Sequence, residues 1–264
     1  MPARSLYSLP APCGFQQQFD VQLADTEELR RRVSQVRYQV FCEELGFGMT
    51  HRDGHEQDDY DASSVHALIH HRPTATDVGC VRLVLPGTRG GSLPFEKFGL
   101  LHVDRKLLDW RKLDPTRCCE ISRLAVISAF RRPIRAQGPV SVDAEGMPAA
   151  HPKRLPSVVM ALYQAVIALT LSRQFESIFM VGEPRLQRHL ESCGIGMRQV
   201  SPTFEYFGPR AVFVADNAAF QTAVNEWDDE RKNLYRFVYS QMVGSLPQIA
   251  DSDMQDNDMQ SVVA

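Results

Sequence analysis

The predicted elements of this 264-residue chain place it in the mixed α/β (α+β) fold class. A strand and a helix come first, three strands follow as a block, and helices and strands then alternate. Consecutive strands favour antiparallel pairing and alternation favours helices packed on the sheet, so we expect both arrangements together. The composition, with 44% hydrophobic and 23% charged residues, is that of an ordinary globular protein.

The first half of the chain supplies a strand, a helix, an acidic loop and the three-strand block. Residues 15–23 alternate loosely, which predicts the strand. Asp25 can cap a helix that ends near Gly46. Residues 46–61 are rich in Gly, His and Asp without an apolar period, which predicts a long loop. Three apolar runs then predict the strands of the block: residues 65–70, 78–85 and 118–127.

The second half alternates helices and strands after a proline-rich insertion. Residues 131–156 hold five prolines and two glycines among basic residues, a mixture that breaks both helices and strands. Ser157 is expected to cap a helix over residues 158–173. Four further patterns predict a strand over 177–181, a helix over 184–192, a strand pair over 197–201 and 211–215, and one long helix over 218–243.

The organisation that follows is a single domain with three additions. The domain covers residues 15–243 and is preceded by an N-terminal extension over residues 1–14. The basic insertion over residues 131–156 interrupts it. Residues 244–264 carry aspartates without periodicity, which predicts a disordered acidic tail.

Charge and apolar content argue against two classes of protein. A formal net charge of -3 lacks the basic excess of a bulk nucleic-acid binder. The longest apolar stretch, residues 158–171, is too short to span a bilayer and carries Gln164. We therefore expect a cytoplasmic protein with no transmembrane segment. Its six scattered cysteines are expected to be reduced thiols and its histidines mostly surface or loop residues, so no metal site is predicted.

The chemistry-bearing residues lie between positions 37 and 123. Nine of them share a distinctive joint spacing: Arg37, Phe41, Phe47, Glu56, Asp58, Asp61, Arg82, Glu120 and Arg123. With the surrounding segments RYQVFCEELGF, YDASSVHALI and EISRLAV, this pattern resembles the acyl-homoserine-lactone synthases and the long-chain N-acyl amino acid synthases. It is similar in particular to the acyltransferases associated with the PEP-CTERM/exosortase protein-sorting system. The resemblance covers about residues 15–215.

The resemblance implies a fold and an activity. The fold is the GNAT-like (acyl-CoA N-acyltransferase) three-layer fold with a mixed, mostly antiparallel central sheet. The activity is transfer of a long-chain fatty acyl group from an acyl-carrier protein thioester to the α-amine of an amino acid or related small amine. No permanently bound cofactor is implied, because acyl-phosphopantetheine on the carrier, or acyl-CoA, enters as the donor substrate.

Two departures from the resembling families refine this expectation. Phe47 stands where the lactone synthases carry a tryptophan, which weakens assignment to that signalling branch. The segment matching the GNAT phosphate motif reads FRRPIRAQG, in which Pro133 lacks a backbone donor and the paired glycines are missing. A carrier-bound donor is therefore favoured over free coenzyme A.

The resemblance also assigns roles to the charged residues. Acyl transfer needs a neutral amine, and a positioned carboxylate can remove its proton. This base role falls most naturally on Glu56, with Glu120 as the competing candidate. The three arginines, Arg37, Arg82 and Arg123, are expected to pair with Asp58, Asp61 and Glu120 and to leave one cation free for a substrate carboxylate. Because Glu120 and Arg123 are three residues apart on a strand, they share a face only if a bulge intervenes.

A basic cluster flanks the insertion and suggests a partner. Its members are Arg131, Arg132, Arg135, Lys153 and Arg154. They are either a solvated loop or a docking surface for the acidic acyl-carrier protein. Two other functions stay open: a lactone synthase that uses S-adenosylmethionine, and a non-catalytic acyl or acyl-carrier-binding module.

Overall fold

The computed structural model of the chain describes residues 14–49, 51–87, 92–131 and 158–244. Six α-helices lie within these ranges: α1 Glu27–Arg37, α2 Pro94–Phe98, α3 Val158–Ser172, α4 Pro184–Ser192, α5 Asn217–Glu226 and α6 Asp229–Met242. Ten strands lie there too: β1 Phe19–Leu23, β2 His51–Arg52, β3 His55–Glu56, β4 Ser64–His71, β5 Thr76–Val84, β6 Cys118–Val126, β7 Ser177–Gly182, β8 Arg198–Gln199, β9 Phe204–Glu205 and β10 Pro209–Asp216. A π-helical segment, Tyr38–Glu44, continues α1.

The central sheet is mixed and mostly antiparallel, as expected. Its strand order is β1-β4-β5-β6-β7-β10-β8, and β9 pairs with β10 beside that path. The pairing of β6 with β7 is parallel, whereas the other neighbours in the sheet are antiparallel. Strands β2 and β3 form a separate small hairpin inside the segment expected to be loop.

Helices cover both faces of the sheet. Successive residues of a strand face opposite sides, so neighbouring positions of β5 report what lies on each face. The Cys80 thiol lies 3.9 Å from the Val33 carbonyl of α1. At Gly79, a Cβ atom would lie 3.2 Å from Leu162 of α3. Helices α1 and α3 therefore lie on opposite faces, which gives the expected three layers.

The pairing of β6 with β7 stops halfway along β6. The register runs only from Cys118 opposite Ser177 to Ile121 opposite Met180, although β6 continues to Val126. The far half of β6 is thus without a strand partner on its β7 side within the described residues. This end of the paired segment is where the sheet opens.

A bulge distorts β6 close to the point where its pairing with β7 ends. The register with β5 shifts between Cys80 and Arg82, and Arg123 on the opposing strand has a φ of 52°. A positive φ is uncommon for a residue with a side chain, and here it marks the extra residue of the bulge. The bulge includes Arg123, so Glu120 and Arg123 can lie on the same face of the sheet, as the shared site requires.

Further expectations about elements change, and several lie outside the described residues. The N-cap of α1 is Thr26, whose side chain accepts from the Leu29 N–H at 3.2 Å, and not the predicted Asp25. The helix predicted over residues 218–243 is two helices, because Trp227 is extended and the Asp228 side chain accepts from the Arg231 N–H at 2.8 Å, starting α6 anew. Residues 15–18 form a turn before β1. Nearly all of the N-terminal extension, the Ser157 cap, all of the basic insertion except its first residue, and the acidic tail after residue 244 fall outside the described residues.

Candidate active site

Three arginines and three carboxylates meet at the sheet opening and form what we call the charged ring. Its members are Arg37, Glu56, Asp58, Asp61, Arg82 and Arg123. The arginines come from the end of α1, from β5 and from the β6 bulge. The carboxylates come from β3 and from the 3-10 turn Asp59–Ser63 with its preceding cap residue.

The buried half of the ring contains two arginines that are each only 1% exposed. Arg37 donates to Glu56 and, through Nη1, to Oδ1 of Asp61 at 2.6 Å. Arg82 donates through Nη1 to Oδ1 of Asp58 at 2.5 Å and to Oδ1 of Asp61 at 2.8 Å. Each of these arginines therefore connects two carboxylates.

Arg123 closes the ring on the side of the sheet opening. Its Nε donates to Oε1 of Glu56 at 3.1 Å and its Nη2 donates to Oδ2 of Asp58 at 2.7 Å. Every arginine now contacts two carboxylates and every carboxylate two arginines, so formal charges cancel. The expectation of one free cation is wrong for these three arginines.

Local backbone contacts fix the two aspartates of the ring. Asp58 and Asp61 form a capping box in which the Asp58 side chain accepts from the Tyr60 N–H at 3.0 Å and the Asp61 side chain accepts from the Asp58 N–H at 2.9 Å. Burial opposes ionisation of Asp61, but Arg37 and Arg82 outweigh it and hold its pKa well below the usual range. The aspartates are therefore permanent anions at neutral pH.

One histidine lies against the ring, contrary to its expected surface position. His66 on β4 is 2% exposed, and its Nε2 is 3.7 Å from Oδ1 of Asp61. Burial and the nearby Arg37 guanidinium lower its pKa to about 4, so it is neutral near pH 7. The residue fills the space behind the ring without adding charge.

Glu120 has a different environment from the ring carboxylates. It is 2% exposed and accepts one hydrogen bond, at 2.6 Å, from the Phe95 N–H in the first turn of α2. No arginine within the described ranges pairs with it, which corrects the expected pairing. Burial raises the pKa of Glu120 to about 8. It is therefore a carboxyl group that can gain or lose a proton near neutrality.

A cavity of about 970 Å³ connects these groups to an apolar pocket. Its polar end is lined by Glu56, Asp58, Arg82, Glu120 and Arg123. Its apolar end is lined mainly by side chains from α3, β7, α4 and α5: Tyr163, Val166, Ile167, Met180, Leu186, Leu190 and Phe220. Residues of both β6 and β7 line it, so the cavity lies where the pairing of these strands ends.

Aromatic side chains form a wall beside the polar end. Phe41 and Phe47 are stacked with ring centroids 6.4 Å apart, and the Arg123 guanidinium lies 5.9 Å from the Phe41 centroid. Phe207 lies 5.8 Å from Phe47 and has a φ of 51°. Sequence analysis missed Phe207, although the aromatic pair before Gly208 in FEYFGP marks a turn that can present such side chains.

The remaining predicted site residues belong to the basic cluster. Arg131 lines the cavity, pairs with Glu44 and donates to the Val126 carbonyl at 2.7 Å. The other four members, Arg132, Arg135, Lys153 and Arg154, lie outside the described residues.

The described part of the chain offers neither a metal-binding cluster nor a membrane-spanning helix. No three side chains of the His, Cys, Asp and Glu types gather there as a metal ion would require. None of the helices described combines the length and apolar character needed to cross a bilayer. The five described cysteines are free thiols.

The sequence and the fold of this chain are similar to those of known proteins. Residues 36–137 match the acetyltransferase (GNAT) domain family. The crystal structure of the acyl-homoserine lactone synthase LasI matches with a TM-score of 0.54 and 19% identity over 78% of this chain and 93% of that one. No curated protein matches the sequence.

Two further solved structures share the fold. BjaI, a CoA-dependent acyl-homoserine lactone synthase solved with SAM and isopentyl-CoA, has a TM-score of 0.54 and 16% identity over 78% of this chain and 88% of that one. FeeM, an N-acyl amino acid synthase from uncultured soil microbes, has a TM-score of 0.52 and 11% identity over 78% and 94%. At these identities the likeness establishes the fold. Together with the match of residues 36–137 to the acetyltransferase (GNAT) domain family, it gives the chain a GNAT-type fold of the kind seen in the acyl-homoserine lactone and N-acyl amino acid synthases, and this supports acyl transfer as its activity.

Proposed function

We propose that this acyltransferase moves a long-chain fatty acyl group from an acyl-carrier protein thioester to the α-amine of an amino acid or related small amine. The observation that carries the proposal is the continuity of the cavity, which joins a proton-accepting carboxyl group to an apolar pocket. A volume of about 970 Å³ lies at the upper end of small-molecule sites. An acetyl group alone would leave most of the apolar pocket unfilled.

Glu120 is the general base in this proposal. Its pKa of about 8 lets it take a proton from the acceptor amine near neutral pH. The neutral amine nitrogen then attacks the thioester carbonyl carbon and the new C–N bond forms. The nitrogen loses its second proton as the C–S bond breaks, and the sulfur takes up a proton so that the carrier leaves as the thiol. Glu56 is a poorer choice, because its carboxylate already accepts from Arg37 and Arg123.

The charged ring and the open edge of β6 complete the site. The ring fixes the β6 bulge and presents Arg123, which is 21% exposed, towards the cavity. In this proposal, backbone N–H groups of β6 beyond Ile121, where β7 no longer pairs, stabilise the oxyanion of the tetrahedral intermediate. Phe41, Phe47 and Phe207 bound the space that the acceptor would occupy.

The donor carrier is proposed to dock beside the sheet opening. Arg131 is at the cavity and begins the basic cluster that continues into the insertion. Reversing the charges of Arg131, Arg132 and Arg135 should raise the Michaelis constant for the carrier-linked donor and leave that for acyl-CoA much less affected. Equal Michaelis constants before and after reversal would remove these residues from docking.

The decisive experiment is product identification with purified components. The protein is incubated with a long-chain acyl-carrier protein and an equimolar mixture of amino acids, and organic extracts are analysed by mass spectrometry. An N-acyl amino acid is the expected product. A lactone formed only when S-adenosylmethionine is supplied would make the chain a lactone synthase. Tight acyl retention without turnover would make it a binding module.

A further inference from the structure

The cavity is lined by five cationic side chains in the described part of the chain, and four of them pair with carboxylates. These four are Arg82, Arg123, Arg131 and Arg210. Lys97 is the fifth, and no described carboxylate lies within ion-pair distance of it. The cavity-lining cation without a described carboxylate partner is therefore a lysine on another element, whereas sequence analysis expected it among the ring arginines.

Lys97 belongs to α2, the helix that also contacts the proposed base. The Phe95 N–H, two residues earlier, donates to Oε2 of Glu120. The Lys97 ammonium lies 5.2 Å from the centroid of the Phe98 ring, which itself lines the cavity. An exposed ammonium on a flexible four-carbon stem can turn to meet an anion that enters there.

We propose that Lys97 binds the anionic oxygens of a substrate, either the carboxylate of the acceptor amino acid or the phosphate of the donor's phosphopantetheine arm. The inference rests on the proposed function. Each ring arginine already has its charge balanced by two carboxylates, which weakens its net attraction for a further anion. The charge of Lys97 is not balanced in this way by a described carboxylate.

The test compares Lys97→Met with wild type in a matrix of substrates. One acceptor is an amino acid and the other is its amide, which lacks the carboxylate. One donor is acyl-carrier protein and the other is an acyl N-acetylcysteamine thioester, which lacks the phosphate. Lys97→Arg keeps the charge, and Lys106→Met removes an exposed lysine that does not line the cavity.

Loss of one charged hydrogen bond should raise the relevant Michaelis constant of Lys97→Met about tenfold. A rise for the amino acid but not its amide assigns the carboxylate. A rise for the phosphate-bearing donor but not the thioester lacking it assigns the phosphate. Lys97→Arg and Lys106→Met should stay near wild type in both cases.

Two results would overturn the inference, and they differ from each other. Unchanged Michaelis constants for Lys97→Met with every substrate pair, alongside an active wild type, would show that Lys97 binds neither anion. If the wild type transferred no acyl group with any substrate pair, the proposed function would be wrong as well. The activity of the wild type therefore distinguishes the two outcomes.

Discussion

Glu56 and Glu120 line one cavity and are almost equally buried, at 1% and 2% exposure, yet their surroundings differ completely. Glu56 is held by two guanidinium groups of the charged ring. Glu120 has one backbone N–H, and burial raises its pKa to about 8. Burial alone therefore does not make a carboxylate a base. The partners decide whether a buried carboxylate serves as fixed charge or as a proton acceptor.

Changing Glu120, the carboxyl group without an ion pair, should above all reduce turnover. Glu120→Gln should lower kcat by about 10²–10⁴-fold, the usual contribution of a general base. The amide oxygen can still accept from the Phe95 N–H, so circular dichroism should show an unchanged fold. Glu56→Gln is the matched control for Glu120→Gln. It should lower the free energy of unfolding, and its effect on kcat should be much smaller than that of Glu120→Gln. A Glu120→Gln enzyme with wild-type kcat would end the assignment of Glu120 as base.

Breaking the charged ring should lower the free energy of unfolding. Arg82→Ala leaves Asp58 and Asp61 each short of one guanidinium partner in a buried place. We expect the free energy of unfolding to fall by about 3–5 kcal/mol in urea titrations. Arg31→Ala removes an exposed partner of Glu28 and should change it by about 1 kcal/mol or less. Equal effects for the two variants would show that the ring is not structural.

Glu120 should also determine the pH dependence of catalysis. A base with a pKa of about 8 is mostly protonated at pH 7 and mostly ionised at pH 9, so kcat/KM should rise about tenfold across that range. Acceptors whose amines differ in pKa separate the two titrations, because only the Glu120 limb stays in place. Glu120→Gln should lose that limb. A profile that moves entirely with the acceptor amine would contradict the assignment.

The fold was more predictable from the sequence than the partners within the site. The hairpin of β4 and β5, the helix α3 and the strand β7 follow from local apolar patterns. The division of α5 from α6 at the Asp228 cap was not predicted, although the cap is a local feature of the sequence. The ring partners were not predictable in this way, because Arg37, Arg82 and Arg123 come from three distant elements and three-dimensional packing chooses among the nearby carboxylates.

The residues that sequence analysis missed show the same limit. Lys97 carries no motif, and it matters only because α2 packs its first turn against Glu120. Phe207 reaches the aromatic wall because the turn between β9 and β10 brings it there from the far end of the domain. Both depend on contacts between residues far apart in the chain, which periodicity and spacing do not encode.

The same variant, Glu120→Gln, should also gain stability over wild type at high pH. The folded-state pKa of Glu120, about 8, lies above the ordinary value of 4.5, so between these values the folded chain holds a proton that the unfolded chain has lost. Stability from this group is complete below about pH 4.5 and declines as pH rises through 8.

Glu120→Gln cannot ionise, so it should melt at a higher temperature than wild type at pH 9 and at nearly the same temperature at pH 5. For a domain of this size, each kcal/mol regained corresponds to about 2–4 °C in Tm. Glu56→Gln should lower Tm at both pH values, since it removes a partner from Arg37 whatever the pH. If both variants shifted Tm in the same direction at pH 9, the two carboxylates would not differ in the way their contacts indicate.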